Sequence, residues 1–122
     1  MENFQFKRSD RVAQQIQDII SEIITTKVIV QDLGLATVTK VKTSQNLRFS
    51  KIYLSFMGNS IDPDKLVKLM NQSKNIKEYR YQLGKKLQIK YVPQIRFYYD
   101  NTYEEMEKIS RLINKTKSKD EN

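Results

Sequence analysis

The chain has 122 residues, 39% hydrophobic and 30% charged, with 22 Lys and Arg against 14 Asp and Glu and a formal charge of +8. That length suits one domain with a proper core, and the composition is that of a globular chain rather than a disordered one. The sequence has no cysteine and no histidine, which excludes disulfides, thiolate or imidazole metal sites, and a histidine base or pH switch.

The first ten residues, MENFQFKRSD, lack the apolar core of a signal peptide. Val12, Ile16, Ile19, Ile20, Ile23 and Ile24 then recur at the three-and-four spacing of one buried helical face, with Ser9 or Asp10 suited to cap the helix. Polar residues interrupt Ile16 to Val30, so the chain offers no membrane span. The expectation is a cytoplasmic protein. A connector, KVIVQDLG, closes at Gly34.

Leu35 to Thr43 is rich in Thr and Val with imperfect alternation, Ser44-Gln45-Asn46 has turn composition, and Lys51 to Met57 alternates cleanly. These segments read as a hairpin. Asp62 and Pro63 suit the N-cap and first position of a helix. Its first half places Leu66, Leu69, Met70 and Ser73 on one face; its second half places Ile76, Tyr79, Leu83 and Leu87 on another. The two faces differ by about 100°, one residue's rotation. A bend near Lys74 to Ile76 lets both halves meet one sheet, and is favoured over a single helix with a drifting stripe. After Pro93, Gln94 to Tyr99 reads as a third strand, with Ile95, Phe97 and Tyr99 opposite Arg96 and Tyr98. Thr102 and Glu105 have capping-box spacing, and Met106, Ile109, Leu112 and Ile113 mark a short final helix. The expectation is an α+β layer over residues 1–114, with helices on one face of a three-stranded sheet and a disordered charged tail over 115–122.

Between Lys74 and Tyr99 lie seven basic residues and one acid, a net +6. Such local concentration points to a polyanionic partner. If the second half-helix buries Tyr79, Leu83 and Leu87, its opposite side displays Lys74, Lys77, Tyr81 and Lys85 along one line. Lysines so placed can follow a phosphate backbone, and an exposed tyrosine can stack on a base or ribose. The competing reading is a solvated helix face. Lys86, Lys90 and Arg96 extend the charge beyond one stripe, with Arg80 in the same segment, while Arg8 and Arg11 form a second cluster. No phosphate-cradling glycine loop and no nucleophile–base spacing is present. Glu104, Glu105 and Glu107 read as the acidic first turn of a helix rather than as metal ligands. Neither enzymatic activity nor a cofactor is expected.

The order and spacing of several short segments resemble the ribosome-binding factor A family, over about Arg8 to Asn114. They are Arg8-Ser9-Asp10-Arg11-Val12-Ala13 with Ile16, Gly34, Thr37-Val38-Thr39-Lys40-Val41, Ser44-Gln45-Asn46-Leu47, Ser50-Lys51-Ile52-Tyr53-Leu54-Ser55, Leu83-Gly84-Lys85-Lys86-Leu87, Lys90, Pro93, Ile95-Arg96-Phe97 and Tyr99-Asp100. The resemblance implies a type II KH-like domain with a kink between two helices. It also implies a non-catalytic, monomeric factor that binds the immature 30S small subunit and assists late maturation of 16S rRNA near its 5′ end, with ribosomal proteins as neighbours. Asn75-Ile76-Lys77 stands where the family commonly has a small residue, any residue, then glycine at the kink. Val30, Gln31 and Asp32 stand where Asp-Pro-Arg is often found. The alternative is a general RNA-binding domain, or a basic adaptor for an acidic protein.

Overall fold

A computed structural model describes residues 7–58 and 60–120 and, of 116–120, the backbone alone. Helix α1 (Arg8–Thr26) buries Val12, Ile16, Ile20 and Ile23 along one face, as its spacing requires. Neither Ser9 nor Asp10 is the cap. Lys7 occupies that position, Ser9 is buried in the first turn, and the Asp10 carboxylate reaches back to accept from the Lys7 backbone N–H at 3.3 Å. A carboxylate at the third helical position satisfies an otherwise unpaired donor from inside the helix.

Strands β1 (Leu35–Thr43) and β2 (Phe49–Met57) pair antiparallel, with a register shift between Val38 and Lys40. The shift places an extra residue, Thr39, in β1, which is why that segment alternates imperfectly. In the turn, Asn46 Oδ1 accepts from Ser44 Oγ at 2.7 Å and from the Arg48 backbone N–H at 3.0 Å.

Helix α2 (Pro63–Met70) has the expected Asp62 cap, whose side chain accepts from the Asp64 N–H at 3.1 Å. The chain breaks at Asn71–Gln72 and resumes as α3 (Ser73–Lys86). The break is therefore real but lies ahead of Asn75, Ile76 and Lys77, which sit inside the start of α3. The cause is local. Asn71 exchanges two 2.8 Å hydrogen bonds with the Phe97 backbone, and Asn75 Nδ2 donates to the Leu69 carbonyl at 2.7 Å, closing the end of α2. With the helical phase reset after Met70, Ser73 is exposed, contrary to its expected burial; Leu69, inside α2, is 37% exposed, also contrary to expectation. Leu66, Met70, Tyr79, Leu83 and Leu87 are buried.

Strand β3 (Gln94–Tyr99) lies parallel to β2, in the order β1-β2-β3. The α2–α3 pair supplies the crossover that a parallel neighbour needs. Val38, Ile52, Leu54, Ile95 and Phe97 fill the sheet's inner face against the three helices, with Tyr79 edge-on to Phe97 at 4.9 Å between ring centroids.

Helix α4 (Thr102–Asp120) departs from expectation in its cap and its length. Thr102 is its first residue, and the Asp100 carboxylate accepts from the Thr102 backbone N–H at 3.0 Å in place of a Thr102 cap. Met106, Ile109, Leu112 and Ile113 are 51–64% exposed. The core is already closed by α1, α2 and α3, which leaves these residues no inner face to fill. The helix also continues beyond Asn114 to Asp120, across most of the stretch expected to be disordered. Neither glycine nor proline interrupts residues 115–120. Residues 121–122 lie outside the described residues. Among the described residues, no helix is long and apolar enough to cross a membrane.

Candidate nucleic-acid interface

The burial of Tyr79 and Leu83 orients α3. Its opposite side presents Lys74, Lys77, Tyr81 and Lys85, all exposed. Tyr81 is 62% exposed, and Lys85 Nζ lies 4.6 Å from its ring centroid, so the ring and charge form one surface feature. Lys85 and Lys86 close the last turn, where cations complement the helix dipole. Lys74 near the first turn opposes that dipole, and no acidic residue in the turn offsets it. Helix stability therefore does not account for the N-terminal part of the stripe.

Two of the predicted contact residues are committed elsewhere. Arg80 is half-buried, with Nε donating to the Pro93 carbonyl at 3.0 Å and Nη2 to the Val92 carbonyl at 2.9 Å. It anchors the loop between α3 and β3 rather than presenting a free fork. Lys86 is ion-paired with Glu22 of α1, which offsets its charge. The sequence separation of 64 residues hid that partner.

Arg8 and Lys90 come together at one end of the molecule, lining an open cleft with Arg48 and Tyr91. Arg48 Cζ lies 4.4 Å and Lys90 Nζ 5.5 Å from the Tyr91 ring centroid, and Tyr91 is 52% exposed. Arg11 is exposed three residues along α1 from Arg8. Arg48 and Tyr91 were not expected here. One lies in the hairpin turn and the other in a loop, so neither carries a periodic signal, and only tertiary contact joins them.

Arg96 is exposed on the sheet face opposite the helices, since its neighbours Ile95 and Phe97 point into the core. The expected site is thus divided. Lys74, Lys77, Tyr81 and Lys85 line the outside of α3; Arg8, Arg11 and Lys90 lie at the α1 end; Arg96 lies behind the sheet.

Among the described residues, no group of three carboxylates is placed to hold a metal ion. Glu104 accepts from the Tyr99 hydroxyl at 2.6 Å, and Glu107 pairs with Arg111 at 3.6 Å. The Glu104 bond, followed by desolvation, pushes the Tyr99 phenol up to about 12. Hydrogen bonds from Thr102 and then Thr39 hold the Asp100 carboxyl below the usual carboxylate range. The exposed groups of α3 can supply positive charge and an aromatic face to a polyanion.

The sequence pattern of the ribosome-binding factor A family matches residues 8–113 of this chain. Ribosome-binding factor A of Vibrio vulnificus (strain YJ016) is 32% identical over 117 residues, covering 94% of this chain and 87% of that protein. The crystal structure of ribosome-binding factor A from Thermus thermophilus superposes with a TM-score of 0.61 at 16% identity, over 74% of this chain and 93% of that one. A homology model of Thermus thermophilus ribosome-binding factor A, fitted into the cryo-electron microscopy map of a 30S complex, superposes with a TM-score of 0.57 at 16% identity, over 73% of this chain and 91% of that one. At this identity the two superpositions speak for the fold, and that fold is KH-like.

Proposed function

The chain belongs to the ribosome-binding factor A family, and from that membership we propose that it docks on the immature small ribosomal subunit through the exposed side of α3. It acts there in the cytoplasm, as a monomer, in late maturation of 16S rRNA near its 5′ end, without catalysing a reaction. The observation that carries the reading is the line Lys74, Lys77, Tyr81 and Lys85, exposed on the second helix of a KH-like pair. The 30S complex of the Thermus thermophilus relative supports the choice of the small subunit.

The three lysines act as point charges toward phosphates, and Tyr81 offers its ring to a base or ribose. Arg8, Arg11, Arg48 and Lys90 form a secondary contact at the α1 end. Lysines carry little sequence information, so rRNA shape and neighbouring ribosomal proteins select the docking position.

Co-sedimentation with small subunits, with large subunits as control and excess unrelated RNA as competitor, tests this. Selective pelleting with small subunits is expected. Equal pelleting with both subunits, or complete displacement by the competitor, leaves a general RNA-binding domain; persistence against RNA with displacement by an acidic polypeptide leaves a protein adaptor.

A further inference from the structure

The sheet face turned away from the helices carries its own ordered arrangement. Cross-strand register aligns Lys40 of β1, Tyr53 of β2 and Tyr98 of β3 in one row, and Lys42, Lys51 and Arg96 in the next. The two tyrosine rings stack at 5.4 Å between centroids, tilted by 26°. Lys40 Nζ lies 4.6 Å from the Tyr53 centroid, while Lys51 Nζ and Arg96 Cζ each lie 6.0 Å from that of Tyr98. All four cations are exposed, and among the described residues none has a carboxylate partner. Asp100, which accepts from Thr39 Oγ1 at 2.6 Å and from Thr102, lies near enough to Lys40 for that cation to help hold its carboxyl low, so it partly offsets Lys40.

Like charges on directly opposed sheet positions destabilise a fold. Strand pairing gives a row of three no rationale, and the row beside it is a stacked aromatic pair against which the three cations lie at 5.9–6.0 Å. Stacked rings next to a line of cations suit a strand whose bases are free to stack and whose phosphates run alongside. We infer that this open sheet face is a second nucleic-acid surface, which takes an unpaired RNA strand with a base on the Tyr53–Tyr98 step and phosphates along Lys42, Lys51 and Arg96. The bulge at Thr39 makes it possible, because it switches the phase of β1 so that Lys40 and Lys42 share the face of Tyr53. The inference relies on the ribosomal reading only for the source of the strand.

The test is fluorescence anisotropy of a labelled short oligouridylate, with duplex RNA of equal length and polyglutamate as competitors. Tyr53→Leu with Tyr98→Leu should weaken binding about tenfold, whereas Tyr53→Phe with Tyr98→Phe should bind like the parent, because stacking needs the ring and not the hydroxyl. Lys42→Gln with Lys51→Gln, which leaves the inner face untouched, should also weaken binding and flatten its salt dependence. Parental affinity in the Leu pair or the Gln pair would overturn the inference, as would equal competition by duplex RNA or polyglutamate. Small-subunit pelleting is read separately: its absence with intact oligouridylate binding removes the ribosomal reading and leaves the sheet surface standing.

Discussion

Asn71 is the residue on which the helix break and the third strand both depend. Its side chain takes the N–H and carbonyl of Phe97 at 2.8 Å each, on a strand that among the described residues is hydrogen-bonded to a neighbouring strand on one side only. Asn71→Ala leaves both partly buried backbone groups unpaired, and the expected cost is about 2 kcal/mol in denaturant unfolding. Asp100 is a second joint, linking the Thr39 bulge to the start of α4 through Thr39 Oγ1 at 2.6 Å and the Thr102 N–H at 3.0 Å. Its folded carboxyl titrates below its ordinary value, so its contribution is present above the unfolded pKa and is lost as pH falls through the folded one. Asp100→Asn should therefore flatten the fall of melting temperature with acidification. An unchanged acid slope would show that the carboxylate makes no differential contribution. Single residues also mark where sequence reading stops. The exposure of Tyr81 follows from helical phase, whereas Arg80 and Lys86 flank the buried face, and the groups that hold them, Val92, Pro93 and Glu22, lie outside their own helix.

Among the elements, α3 is the one whose placement decides what the site presents. A β-carbon on Gly84 would come within 2.9 Å of Val92 Cγ2, so α3 and the following loop approach too closely for a side chain there. Gly84→Ala should destabilise the fold by about 1 kcal/mol, although alanine is the better helix former, because the clash falls on a stiff β-branched residue. A gain in melting temperature would show that Val92 gives way freely. The α1 face, the clean alternation of β2 and the phase break between α2 and α3 were legible, since each is a local periodicity. The break's position was not, because it is set by Asn71 meeting a strand 26 residues away. Helix α4 shows the converse limit. The spacing of Met106, Ile109 and Ile113 reveals an amphipathic helix but not whether the fold has an element to cover it, and these residues are 51–64% exposed. The row of Lys42, Lys51 and Arg96 was equally hidden, because it exists only in cross-strand register.

For the whole molecule, the +8 charge is distributed by the fold over two opposed sides, the outside of α3 and the back of the sheet, with the Arg8, Arg48 and Lys90 cluster at one end. Family membership, the KH-like fold and the exposed α3 stripe meet in one claim, that α3 carries the contact with the small subunit. The measurement that tests it most directly is small-subunit co-sedimentation of the Lys77→Glu, Lys85→Glu double variant beside the parent, with melting temperature as the control for folding. Both side chains are exposed, so Lys77→Glu should change stability by less than about 0.5 kcal/mol, while Lys85→Glu, which puts an acid in the last turn of α3 and removes the contact with Tyr81, should cost up to about 1 kcal/mol. Loss of pelleting by a variant that remains folded at the assay temperature is the predicted result. Undiminished pelleting of the folded variant would contradict the account and move the docking surface off α3.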